Sequence, residues 1–175
     1  NSKLSIAGGV ASWATGGSGA GDPGLWYASQ ARVFGKAILA TVTPSNTGNS
    51  IGFVLDSYQL TSIAESFQFV AANVLSVLAG GALVTVGAFV AATAYNLCVV
   101  LRGTGAYFFI KGGVFSNWTL VWIGGTGNAA AFPALEARGT VSVFTADNIR
   151  VPVSLYTVPQ LAYDAFGRAN GALGS

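Results

Sequence analysis

Chemistry at neutral pH needs groups that titrate or attack, and this sequence holds few of them. Histidine is absent. That removes the Ser-His-Asp triad, the Cys-His pair and any histidine zinc site together. Glycoside hydrolysis needs two carboxyl groups, one as acid and one as nucleophile. Glu65 and Glu136 are the only glutamates, and neither has another carboxylate within five residues. Gly8-Gly9, Gly16-Gly17 and Gly124-Gly125 are turns without the Lys and Ser/Thr of a phosphate-binding loop. The single cysteine, Cys98, lies among apolar residues, so an internal disulfide is excluded and a buried, inert thiol is expected. The chain is expected not to be an enzyme.

Binding is a better prospect than catalysis. A glycan site needs aromatic platforms with amide or carboxylate groups on nearby loops. Trp26, Tyr27, Tyr58 and Trp118 are the candidate platforms, with Tyr156 a further one. Asp22, Asn46, Asn49 and Asn117 are candidate polar partners. The competing reading for each aromatic is a place in the core. Asn117-Trp118-Thr119 also fits the glycosylation sequon.

These residues must be held by an unusual chain. Of 175 residues, 8 % are charged, against roughly 25 % in ordinary soluble proteins. Hydrophobic residues make up 52 % and glycines number 24. The 8 basic and 6 acidic side chains are scattered singly, so no nucleic-acid footprint is present. A surface so poor in charge is weakly protected against association. It is covered by neighbouring subunits or modules, or it is a neutral extracellular surface. The chain begins at Asn1 with no signal peptide, as a processed chain or part of a longer one would. Ser66 to Leu101 carries no charge. It is not read as a transmembrane helix, because Gly80-Gly81 and Gly87 cut it into strand-length pieces and β-branched residues outnumber leucine.

Tyr95 to Gly113 (YNLCVVLRGTGAYFFIKGG) predicts one β-hairpin, turning at Gly103-Thr104-Gly105. Around it the sequence predicts about a dozen short strands, with turns such as Asp22-Pro23-Gly24 and Gly124 to Asn128 between them. Phe67 to Ala72, Asn73 to Leu78, Ala82 to Val86, Ala88 to Ala92, Thr119 to Ile123 and Thr140 to Phe144 are among them. No segment shows a capped 3.6-residue apolar stripe. The expected fold is all-β, a two-sheet antiparallel β-sandwich of jelly-roll type. Its core is expected to take Val99, Leu101, Phe109, Leu120, Trp122, Val141 and Val143, with alternate positions on the other face.

Several of these stretches resemble the concanavalin A-like, laminin-G-like jelly-roll superfamily. The central hairpin is similar to a Y-x-L-x-V-x-L strand, a glycine turn and a second strand. TLVWIGGT looks like the strand that follows, FTADNIRVPV like the final strand, and NSKLSIAGGVASW like the early strands. Together they cover more than half the chain. The glycosidases of that superfamily carry E-x-D-x-x-E, which is missing here. DAFGRANGALGS resembles the opening strand of such a module but stands at the C-terminus. The division expected is a sandwich over 1–160 and a C-terminal strand over 161–175, with Asp164, Phe166, Arg168 and Leu173 on that strand. The strand closes its own sandwich as a circular permutant, exchanges into a neighbouring subunit, or begins a following module. The resemblance further implies a structural Ca²⁺ held by Asp147 and Asp164, with Asn148 assisting. The alternative is that Asp147-Asn148 is a turn and that Asp164 pairs with Arg150 or Arg168.

Two functions are therefore expected in this order. The first is a non-catalytic structural module of an extracellular assembly, on a virion, cell-surface filament or sheath, packing against copies of itself. The second is a lectin-like module that binds surface glycans. Neither involves nucleic acid or a membrane span, and no cofactor beyond the possible Ca²⁺ is implied.

Overall fold

The computed structural model describes residues 4–14, 24–26, 37–45, 49–54, 63–70, 73–125, 132–137 and 144–151. Among them run thirteen strands: β1 (Leu4–Ala7), β2 (Val10–Trp13), β3 (Gly24–Trp26), β4 (Ala37–Pro44), β5 (Asn49–Val54), β6 (Ile63–Val70), β7 (Val74–Ala79), β8 (Ala82–Ala88), β9 (Tyr95–Arg102), β10 (Gly105–Gly112), β11 (Phe115–Gly124), β12 (Phe132–Ala137) and β13 (Phe144–Arg150). They form a seven-stranded sheet, β1-β2-β13-β4-β9-β10-β11, and a six-stranded sheet, β3-β12-β5-β6-β7-β8. Every pairing is antiparallel. No helix among the described residues is long and apolar enough to cross a membrane. The expected all-β sandwich is the observed one. The 160/161 boundary, and the C-terminal strand with it, lies outside the described residues.

Rings fill the space between the sheets. Phe67 of β6 meets Phe108 of β10 edge-on, with centroids 5.4 Å apart. Trp13 of β2 stacks on Phe144 of β13 at 4.1 Å and 9°. Phe69 packs edge-on against Phe89 at 5.0 Å. Val99 and Leu101 are fully buried in this core, as expected.

The expected parity of β10 is reversed. A three-residue turn would set Phe109 opposite Val99. The turn is instead the two residues Gly103-Thr104, because Gly105 already pairs with Arg102. Gly105 joins the strand with φ +140°, a conformation that an L-residue rarely adopts. One residue of register moves every side chain of β10 to the other face. Phe108 and Ile110 are therefore buried between the sheets, and Phe109 lies outside, opposite Cys98.

Leu120 and Trp122 are likewise not core residues, being 42 % and 38 % exposed. Both sit on β11, which among the described residues is the last strand of its sheet. Val141 and Val143 lie outside the described residues. β11 also joins two expected segments, Phe115 to Asn117 and Thr119 to Ile123, into one ten-residue strand. Bulges opposite Phe108/Phe109 and Ile110/Gly112 absorb the irregularity.

The expected strand Ala88 to Ala92 is a linker. Its N–H groups bond outside any ladder: Phe89 donates to the Asn73 carbonyl (2.9 Å) and Ala92 to the Pro44 carbonyl (2.6 Å). Val90 donates to Tyr95 Oη (2.8 Å). Pro133 stands inside β12 opposite Phe53, one residue before the pairing with β3 begins at Ala134. Among the described residues it has no ladder partner on its β3 side, where a missing N–H would cost nothing.

The central hairpin is apolar on both faces because both are covered. Ala37, Cys98 and Val100 form a second buried cluster on the outer face of the seven-stranded sheet, against Leu39, Tyr107 and Phe109. Burial pushes the Cys98 thiol from 9.0 up to about 12, so it stays protonated and unreactive near neutrality.

Candidate functional site

Most strands of the seven-stranded sheet give their inner face to the core and leave an outer face for chemistry. On that outer face the ladder sets Asp147 of β13 opposite Thr41 of β4 and Thr41 opposite Asn96 of β9. Asn96 in turn stands opposite Lys111 of β10. Thr41 Oγ1 donates to Asn96 Oδ1 at 2.9 Å across 55 residues of sequence. This bond fixes the Asn96 amide and leaves its NH₂ group available as a donor.

A bulge then changes the geometry of β13. Asp147 is opposite Thr41 and Arg150 opposite Leu39, so three residues of β13 span two of β4. Asn148 takes φ +51°, and its N–H donates to Asp147 Oδ1 at 2.6 Å. Strict alternation would turn Arg150 toward the core. With the bulge, Ile149 packs on the core and Arg150 lies exposed on the outer face.

Thr41, Asn96, Asn148 and Arg150 line one groove of about 150 Å³. Its walls are Leu39, Ala40, Thr41, Asn96, Leu97, Trp118, Asn148 and Arg150. Trp118 is half exposed. It stands where β11 departs from regular pairing, between the Ile110–Thr119 and Gly112–Phe115 pairs. The groove thus has an aromatic plane, an oriented amide, a hydroxyl and a guanidinium.

Solved structures of three other proteins are similar to this fold. The VIP36 exoplasmic/lumenal domain, in a Ca²⁺/Man2-bound form, matches over 87 % of this chain and 79 % of its own, at 9 % identity and TM-score 0.60. Trypanosoma rangeli sialidase matches over 87 % of this chain at 15 % identity and TM-score 0.60. A further structure titled "Sialidase" matches over 85 % at 10 % identity and TM-score 0.54. The chain spans only 26 % of the Trypanosoma rangeli enzyme and 16 % of the other sialidase chain. No protein-family model and no curated protein matches the sequence. The fold is a concanavalin A-like jelly roll.

Within this jelly roll the sequence candidates separate. Trp118 lines the groove. Trp26 ends β3 in the other sheet, so it is not brought to Trp118. Tyr27 and Tyr58 lie outside the described residues. So do Asp164, Phe166, Arg168 and Leu173. Of the expected calcium pair, only Asp147 is placed; it lies within β13, where its Oδ1 accepts from the Asn148 N–H at the bulge. Among the described residues no three acidic or cysteine groups gather as a metal site.

The glutamates are both buried. Glu65 shares the core-facing side of β6 with Phe67 and Phe69, opposite Ala79 of β7. Glu136 points the other way on β12, since its neighbours Leu135 and Ala137 take the core side. The two carboxyl groups sit on opposite faces of one sheet and do not form a pair flanking a substrate.

Thr41, Asn96 and Arg150 were not among the sequence candidates for a ligand. The sequence signal is slight: Thr41 and Thr43 alternate with apolar residues in β4, Asn96 is a lone amide in β9, and nothing of the kind marks Arg150.

Proposed function

We propose that this jelly roll is a non-catalytic module that binds a saccharide in the groove on the outer face of its seven-stranded sheet. The observation that carries this is Trp118, half exposed beside the oriented Asn96 amide and Arg150. Sugars present C–H faces that stack on indole and hydroxyls that pair with amides. The folds it resembles lend support: VIP36 domains were solved in Ca²⁺/Man2-bound and Ca²⁺/Man3GlcNAc-bound forms, and Trypanosoma rangeli sialidase in complex with sialic acid. An extracellular, cell-surface or virion setting fits such a role. A Ca²⁺ bound by Asp147 and Asp164 belongs to the same proposal as a structural ion.

Trp118→Ala tests it. The residue is on an edge strand and half exposed, so the fold should survive. On a glycan array, followed by titration calorimetry with the best hit, the change should weaken binding about tenfold or more. That corresponds to the roughly 1.5 kcal/mol an aromatic contact contributes. Binding that is unchanged in Trp118→Ala would remove the groove from consideration.

A second reading is a structural module that self-associates. It is favoured by β8 and β11, the outermost strands of their sheets among the described residues, where Phe115 approaches Gly87. Neither strand contains a charged residue, and Leu83, Trp118, Leu120, Trp122 and Ile123 are exposed on them. Edge strands without lysine or proline invite pairing. The C-terminal segment with Asp164, Phe166, Arg168 and Leu173 is the other candidate joint. Light scattering of the whole chain and of a chain ending at Tyr163 separates the cases. An oligomer that the truncation dissolves assigns the joint to that segment. An oligomer that persists assigns it to the β8/β11 edge. A monomer in both rules the reading out.

A further inference from the structure

We infer that the groove selects an acidic saccharide, with the sugar's anionic group on Arg150 and its ring on Trp118. This rests on the saccharide reading and adds the ligand's charge. Arg150 is the one charged residue among those lining the groove. It is exposed, and the bulge after Asp147 serves to bring it to this face. Its guanidinium has no ion pair among the described residues. Asp147 lies on the same face, with its Oδ1 accepting from the Asn148 N–H at 2.6 Å.

The surrounding charge favours the same ligand. By strand parity, Arg102 and Lys111 also lie on the outer face, and both are exposed. Among the described residues the face therefore carries three cations and one carboxylate. In a chain with so few charges, that is a local positive field that attracts anions. A planar guanidinium matches the two oxygens of a carboxylate or a sulfate in bidentate fashion. The Asn96 NH₂ group is left for a ring hydroxyl.

The test uses ligand pairs that differ in charge alone. Trigalacturonate is compared with its methyl ester, and sialyllactose with its own methyl ester, by calorimetry at about 0.15 M salt. A sulfated galactose oligomer against its unsulfated form separates sulfate from carboxylate as the anion. The expected result is that at least one acidic member binds about tenfold or more tightly than its neutral partner. Arg150→Gln should erase that difference, and Arg150→Lys should retain part of it. Equal binding of both members, still lost in Trp118→Ala, would overturn the acidic assignment and leave the saccharide reading standing. No binding of any member, matched by a glycan array without hits, would overturn both. A charge preference that survives Arg150→Gln would also overturn the assignment, because the anion would then sit elsewhere.

Discussion

Trp13→Ala should destabilise the protein by about 3–5 kcal/mol, the usual cost of deleting a large buried ring. Trp13 is 1 % exposed and stacks on Phe144 at 4.1 Å. Its register explains why the loss would spread. One row of the seven-stranded sheet runs Leu4, Trp13, Phe144 and Pro44, across β1, β2, β13 and β4. Among the described residues β1 has no other strand partner, and β2 is held on its far side by three pairs with β13. Removing the indole opens a cavity beside Phe144. Against a total stability of roughly 5–15 kcal/mol for a single domain, that is a large fraction. Urea denaturation followed by far-ultraviolet circular dichroism checks it, and Trp13→Phe should recover most of the loss by keeping the stack. A cost below about 1 kcal/mol for the alanine variant would mean that the β1–β2 end contributes little to the cooperative unit.

Gly112→Ala should cost about 2–4 kcal/mol, for reasons the sequence does not reveal. Gly112 ends β10 with φ +126°, which is unfavourable for any L-residue. A Cβ there would run into the Ala94 carbonyl oxygen and lie 3.1 Å from Tyr95 Cα. Both are backbone atoms at the start of β9, so no side chain can rotate away. Gly81→Ala is the control. Gly81 has φ +82° and nothing near its would-be Cβ, so it should lose only the conformational part, about 1–2 kcal/mol. Thermal denaturation of the two variants separates strain from collision. Equal shifts in Tm would show that the close approach of β10 to Ala94 is relieved at little cost.

Much of the architecture is legible in the residues. Alternation in Leu97, Val99 and Leu101, the glycine pairs between strands and the absence of any capped helical stripe lead to a two-sheet sandwich, because each signal is local. Trp118 is legible as a candidate because it is an aromatic beside Asn117 in a polar stretch. Arg150, Thr41 and Asn96 are not, since their meeting depends on the β13–β4–β9 ladder and on one bulge. Glu65 and Glu136 are visible as isolated carboxylates. That they occupy opposite faces of a sheet is a matter of parity.

The sequence alone determines the class of the fold and the limits on chemistry. Periodicity fixes strands, composition fixes the scarcity of charge, and the absence of histidine removes whole mechanisms. Tertiary structure decides the faces. A turn of two residues in place of three moves Phe109 out and Phe108 in. One extra residue at Asn148 moves Arg150 from the core side to the groove. A strand's side chains alternate with period two, so a single-residue choice made by backbone pairing inverts everything after it. Composition and periodicity are blind to that choice, and the groove exists because of it.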